Sequence, residues 1–168
     1  MSQLPSDELG RLYQVHAAAL MLFVRTYADT HQAADIVQEA FLKLLSQHRP
    51  VENVRAWLYR CVRNEALNRL RVRNRRGVHQ RRLAQGRPDW FEPQLDHQLD
   101  ARAAAEALES LEPAQREIVT MRIWGELTWR EIAEVLEMPL SSAFHAYAGA
   151  LNALKTKLEQ PCNPSKTT

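Results

Sequence analysis

Apolar residues recur every three or four positions along most of this 168-residue chain, and that spacing constrains the fold more than any other feature. The clearest run is the four-residue repeat of Leu58, Val62, Ala66 and Leu70. This period is that of an α-helix that buries one face. The sequence also contains only 5 glycines and 8 prolines, fewer turn residues than a β-sandwich needs. We therefore predict an all-α fold.

The helical patterns fall into two groups. The first group predicts helices over residues 9–28, 33–47 and 54–75. The second group begins at residue 101, after a stretch that holds glycines and prolines and shows no apolar period, as is typical of a linker. Trp90 and Phe91 interrupt that stretch and fit either docking against a partner or packing on the chain's own domain. We predict two small helical domains over 1–76 and 101–159, a linker over 77–100 and a disordered tail over 160–168.

The formal net charge of +2 conceals a strong local imbalance. Residues 51–88 contain 11 basic residues, all arginines, against 2 acidic ones. Such a concentration is typical of a surface that binds a polyanion, most often nucleic acid. The alternative is a solvated basic helix that continues into a flexible segment, and charge alone does not decide between the two.

The predicted third helix places its polar residues opposite its apolar stripe. At about 100° per residue, one side gathers Arg60, Arg63, Asn64, Arg71 and Asn74. Guanidinium groups are planar, forked donors that match phosphate oxygens and the edges of bases. The helix is therefore predicted to have one buried face and one face suited to DNA.

A helix-turn-helix arrangement is predicted in the second domain. Thr128 and Glu131 have the spacing of a capping box at a helix start. A break at 137–139 separates the helix that ends at Leu136 from a last helix over Ser141–Leu158. A short helix, a tight turn and a second helix are the parts of this motif, although any helical hairpin can show the same pattern.

Catalytic and metal-binding patterns are missing from the sequence. The 6 histidines are scattered, and no glycine-rich phosphate loop or His-Glu-x-x-His motif occurs. Cys61 and Cys162 are too far apart to suggest a zinc site. The longest apolar run, Ala17 to Val24, is shorter than the roughly 20 residues that span a bilayer. We expect no enzyme, no metal or cofactor and no membrane insertion, and a cytoplasmic location.

Two blocks of the sequence resemble the extracytoplasmic-function sigma factors, which are RNA polymerase subunits of the sigma-70 family. Residues 35–45 and 54–68 resemble region 2 of that family, and residues 111–119 and 127–136 look like region 4. The resemblance covers most of residues 9–158. It implies a non-enzymatic sigma factor that binds core RNA polymerase and directs promoter recognition and DNA opening. An anti-sigma factor, which family members often have, is a further candidate partner.

The resemblance also implies roles for particular residues. Core polymerase would meet Asp35, Gln38, Glu39 and Lys43, and residues 47–53 would hold an unstacked base of the minus-ten element. Promoter DNA would meet Arg55, Arg60, Arg63, Asn64, Asn68, Arg71, Arg73, Arg75 and Arg76. Trp57 fits either a stacking platform for a base or core packing, and core packing is favoured.

The chain departs from the family pattern in its recognition helix. The residues in the reading positions are Ser141, Ser142, Phe144, His145 and Tyr147, and no Lys or Arg lies between Arg130 and Lys155. Because phosphate contacts dominate DNA affinity, binding to a minus-thirty-five element should be weak. Glu137 also stands where the turn usually has glycine. The alternative is therefore a sigma-derived interaction protein or regulator whose minus-thirty-five reading helix is degenerate.

Overall fold

Six α-helices form the part of the chain that the computed structural model describes, residues 5–76 and 106–159. The helices are α1 Ser6–Val24, α2 Thr30–Leu45, α3 Val54–Arg75, α4 Pro113–Ile123, α5 Trp129–Leu136 and α6 Leu140–Glu159. Residues 106–109 are also helical, and no strand occurs within these two ranges. The predicted linker over 77–100 and the predicted tail over 160–168 lie outside the described residues. No described helix is long and apolar enough to cross a bilayer.

Capping side chains set where several helices begin. Asp29 accepts a hydrogen bond from the Gln32 amide at 2.9 Å, so α2 begins at Thr30. The sequence prediction started this helix at residue 33 and was wrong, because the cap of Asp29 brings the next three residues into the helix. Asn53 caps α3 by accepting from the Ala56 amide at 3.0 Å, and α3 has the predicted bounds.

Two helices of the second domain begin as predicted, and the last begins one residue earlier. Pro113 occupies the first turn of α4, where a missing N–H has no cost. At α5, the Thr128 hydroxyl accepts from the Glu131 amide at 3.3 Å, and the Glu131 carboxylate accepts from the Thr128 amide at 2.6 Å. This is the predicted capping box. The last helix begins at Leu140, one residue earlier than predicted.

The first domain packs α1, α2 and α3 around a common centre. Fully or almost fully buried side chains are Leu20, Phe23, Ile36, Val37, Leu44, Leu58 and Val62. Aromatic rings meet edge to face, with centroids 5.0 Å apart for Tyr13 and Phe41 and 5.2 Å apart for Phe23 and Tyr59. The stripe on α3 thus faces inward, which leaves its opposite face outside.

The two domains share one hydrophobic core. Ile118, Met121 and Leu127 of the second domain belong to the same buried cluster as the centre of the first. Helix α1 of the first domain lies against α4 of the second, and α3 of the first domain lies against α5 of the second. A smaller cluster, formed by Leu108, Leu111, Val119 and Ala150, lies within the second domain. The domains are therefore packed on each other, an arrangement that the sequence left open.

Gly125 lies against Tyr59 where the two domains meet. A Cβ atom at this glycine would lie 2.6 Å from the Tyr59 hydroxyl and 2.7 Å from the Met121 carbonyl oxygen. Only glycine fits so close to a ring and a backbone oxygen. The Tyr59 hydroxyl is buried and has no hydrogen-bond partner among the described residues.

Candidate nucleic-acid interface

The outer side of α3 carries a continuous row of donors. Arg60, Asn64, Asn68, Arg71 and Arg75 are exposed, and Arg76 follows at the end of the helix. These side chains make no ion pair or hydrogen bond to another described residue. We call the first five the exposed polar row. Arg60, Asn64 and Arg71 were predicted on this face, whereas Arg63, also predicted there, is half-buried. The guanidinium and amide groups of the row suit phosphates and base edges.

The segment before α3 is open to solvent where the resemblance expects an unstacked base. His48, Arg49 and Pro50 are exposed, whereas Val51 is half-buried against the core. Trp57, one turn into α3, is half-buried against the same core. Trp57 therefore packs on the core, as favoured from the sequence, and is not a free platform for stacking a base.

Three of the expected DNA-contacting arginines are engaged within the protein. Arg63 donates from Nε to Oε1 of Glu117 at 2.8 Å. Arg55 lies 3.4 Å from Oε2 of Glu131, and Arg73 donates to the side chain of Gln32. All three were predicted to contact DNA in the same way as their exposed neighbours. The structure therefore divides the predicted DNA set into an exposed part and an engaged part.

Glu117 is the most buried charged group that touches α3. Only 3% of its side chain is exposed. Burial raises the pKa of this carboxyl more strongly than its contacts with Arg63 and with the Tyr27 hydroxyl lower it. Burial, together with the neighbouring Glu117, also raises the pKa of Tyr27. The cluster is therefore a desolvated ion pair with one additional hydrogen bond.

The pKa of Glu131 is shifted in the opposite direction. Burial alone would raise the pKa of its carboxyl, but hydrogen bonds with Asn53 and Thr128 and the charge of Arg55 bring the pKa below its ordinary value. The side-chain amide of Asn53 donates to Glu131, while its oxygen caps α3. One carboxylate thus joins the N-terminal caps of α3 and α5.

The predicted polymerase-binding face on α2 is partly committed to ion pairs. Asp35 and Gln38 are exposed. Glu39 accepts from Arg69 Nη2 at 2.6 Å, and Lys43 lies 3.7 Å from Glu65. Arg69 also donates to Glu65 at 2.9 Å, and this hydrogen bond lowers the pKa of Glu65.

Leu42 is the residue on this face that the sequence analysis missed. It is 56% exposed, and it lies one turn after Gln38, on the side of α2 that carries Asp35. The available signal was its position in the helical period, outside the stripe of Ile36, Ala40 and Leu44 that is buried in α2. An exposed leucine beside polar groups is a common feature of protein-binding surfaces.

The predicted recognition helix presents a neutral surface. Ser141, Ser142, Phe144 and His145 are exposed and Tyr147 is half-buried. Trp129 packs edge to face on Phe144 and Tyr147, with centroids 5.5 and 4.9 Å apart. The exposed apolar residues of α6 are Leu140, Phe144, Leu151 and Leu158. This surface offers few donors to phosphate.

The turn before α6 contains the strained residue that the sequence suggested. Glu137 has φ 54° and ψ 44°, a left-handed conformation that glycine adopts with least strain. In the described ranges no group of three or more metal-ligating side chains comes together.

Two family models match separate parts of the chain. The family Sigma-70 region 2 matches residues 12–76, and the family Sigma-70, region 4 matches residues 101–154. A comparison with curated proteins finds no significant match.

Two solved structures share the fold. One is the sigma factor RpoE in complex with the anti-sigma factor NepR from Bartonella quintana, which is 22% identical with a TM-score of 0.75. That similarity covers 94% of this chain and 99% of the other. The second is CnrH in complex with the cytosolic domain of CnrY, which is 23% identical with a TM-score of 0.63 over 94% of this chain and 92% of the other.

Proposed function

The chain belongs to the sigma-70 family of RNA polymerase sigma factors, and from that premise we propose that it acts as an extracytoplasmic-function sigma factor. Sigma factors bind core RNA polymerase, direct it to promoters and catalyse no reaction of their own. The first domain corresponds to region 2 and the second to region 4. The place of action would be the cytoplasm, where polymerase and promoter DNA meet.

The exposed polar row on α3 is the observation that carries this proposal. It lies on α3, a region 2 helix that begins directly after the open segment 47–53. Extruding a base from the duplex costs a few kcal/mol. Contacts of the open segment with the base, and of the arginines with the phosphates, would offset that cost on the displaced strand. Opening would thus be driven by binding energy.

The polar face of α2 is our candidate for contact with core polymerase. Asp35 and Gln38 supply acidic and amide groups, and Leu42 adds an apolar anchor. That combination suits a basic helix on the partner. Both solved relatives are bound to another protein, NepR or CnrY, and this supports an anti-sigma factor as a further partner of this chain.

The neutral face of α6 favours a second candidate function. A sigma-derived regulator could hold polymerase or another protein without reading a minus-thirty-five element. No Lys or Arg occurs on α6 before Lys155, and Leu140 and Phe144 are exposed there. Strong protection of a minus-thirty-five sequence in a footprint would exclude this alternative.

Competition for core RNA polymerase tests the proposed function without knowledge of the promoter. The purified chain should displace a labelled housekeeping sigma factor from core enzyme. L42A should weaken that competition about tenfold, the effect of losing an interface anchor. V15A is the matched control, because Val15 is 69% exposed on α1, and it should compete like the wild type. Failure of the wild type to compete would overturn the sigma-factor proposal and favour the regulator.

A further inference from the structure

Two arginines that the family resemblance assigns to DNA are held by carboxylates of region 4. Arg63 donates to Glu117 at 2.8 Å, and Arg55 lies 3.4 Å from Glu131. We call these two contacts the interdomain ion pairs. Asn53, at the end of the open segment, also donates to Glu131. Region 4 therefore contacts the part of region 2 where the displaced strand would begin its path along α3.

A carboxylate and a DNA phosphate can bind a guanidinium group in the same way. Both present anionic oxygens to its fork of N–H donors. Arg63 cannot direct its Nε donor to Glu117 and to a phosphate at the same time. We propose that the interdomain ion pairs make the packed arrangement a self-inhibited form, in which carboxylates of region 4 occupy donors that region 2 uses for DNA. This inference rests on the proposed function, since it requires these arginines to bind DNA.

The packing between the regions makes this form a defined state rather than a loose encounter. Ile118 and Met121 of region 4 are fully buried in the same cluster as Leu20 and Phe23 of region 2. Gly125 lies so close to Tyr59 that a single added carbon would clash with the hydroxyl. The buried apolar contact between the regions holds the two ion pairs beside it in place, so Arg55 and Arg63 are kept from DNA together.

Inhibition of this kind is partial, because the exposed polar row stays outside the contact. Arg60, Arg71 and Arg75 remain open to solvent, so the packed form keeps a general attraction for phosphates. What it lacks is Arg55, in the first turn of α3, and Arg63, about two turns further along the helix. Any partner that holds regions 2 and 4 apart frees Arg55 and Arg63 in one step.

Single-stranded DNA binding by the full chain tests the proposal. The probe is a fluorescein-labelled 20-nucleotide single strand of mixed sequence, and the readout is the Kd from anisotropy. E117Q/E131Q should bind about tenfold more tightly than the wild type, because two donors become available. Glutamine keeps the shape of both side chains and can still form the α5 capping box. E117Q alone should show part of the gain.

E134Q is the charge-matched control for E117Q, since each variant removes one carboxylate, and Glu134 is exposed on α5 with a side chain that has no partner among the described residues. It should change the Kd no more than about twofold. Y59F should act in the opposite direction and weaken DNA binding two- to threefold. It removes a buried hydroxyl that lacks a partner and so strengthens the packed form.

Two results would overturn the self-inhibited form. One is a Kd of E117Q/E131Q equal to that of E134Q, and the other is a Y59F variant that binds DNA more tightly than the wild type. Displacement of a housekeeping sigma factor from core polymerase, measured on the same wild-type preparation, reports on the sigma-factor proposal separately. If the wild type competes for core polymerase but E117Q/E131Q binds DNA no more tightly than E134Q, the sigma-factor proposal stands and the self-inhibited form is refuted.

Discussion

The helices α3 and α6 hold corresponding places in their two regions, since each is the helix that the family would direct at DNA, yet their surfaces are opposite in chemistry. α3 exposes Arg60, Arg71 and Arg75, whereas α6 exposes Leu140 and Phe144 and has no Lys or Arg before Lys155. α3 lies within the region 2 match, and most of α6 lies within the region 4 match. A shared fold thus does not fix a shared function, because affinity depends on the side chains that the fold displays.

The largest predicted effect is a loss of DNA binding, and it tests whether α3 rather than α6 binds the DNA. R60A/R71A should reduce binding of the holoenzyme to DNA with an unpaired bubble about 100-fold, because two arginine contacts are lost at about 1–3 kcal/mol each. S142A/H145A on α6 should change it less than threefold. The bubble DNA can be obtained by selection from a random library with the wild-type holoenzyme. A larger loss in the α6 variant would reverse the assignment of the two faces.

A second experiment concerns Arg63, the α3 side chain that also belongs to the contact with region 4. R63M leaves Glu117 buried without its guanidinium, and removing one partner of a buried pair costs about 3 kcal/mol in the free energy of unfolding. Burial already raises the pKa of Glu117 above its ordinary 4.5, and loss of Arg63 raises it further. A protonated Glu117 no longer carries a buried charge, so the destabilisation should be largest at pH 8 and smaller at pH 5.

Urea unfolding at the two pH values measures this difference. R60M is the control, because Arg60 is exposed, and it should change stability by less than about 0.5 kcal/mol at either pH. Equal destabilisation of R63M at pH 8 and pH 5 would show that the charge of Glu117 does not matter to the contact.

The smallest predicted effect lies in the turn of region 4. E137G should stabilise the protein by about 1 kcal/mol, because glycine adopts φ 54° without the strain of a side chain. E134G, three residues earlier within α5, should destabilise it by about 1 kcal/mol. Thermal unfolding of the two variants gives shifts of opposite sign if the left-handed turn is the cause. Shifts of the same sign would contradict that explanation.

Local features of the fold could be predicted from the sequence. The bounds of α3, the capping box of Thr128 and Glu131 and the positive φ at Glu137 all depend on neighbours within a few residues. The start of α2 was missed, although its cause is also local, because residues 29–32 were left between the first two predicted helices and Asp29 was given no capping role. The exposure of Arg60, Asn64 and Arg71 followed from the 3.6-residue period alone.

The contacts between the regions could not be predicted in the same way. Periodicity indicates which residues are buried but not what they are buried against. Glu117 stands 54 residues from Arg63 along the chain. The one available signal was that Glu117 precedes Met121 by four residues, and so lies on the inward side of α4. An acidic group there needs a buried cationic partner, and region 2 is the arginine-rich part of the chain.

The pairing of Arg63 with a residue made much later has a consequence during protein synthesis. Translation adds about 5–20 residues per second, so the 54 residues between Arg63 and Glu117 take about 3–11 seconds. Once Arg76 has been added, a nascent region 2 has its complete set of arginines, and for the rest of that interval no carboxylate from region 4 is present to hold them. Each new molecule thus begins in the form that nucleic acid can reach, and only the finished chain can cover it.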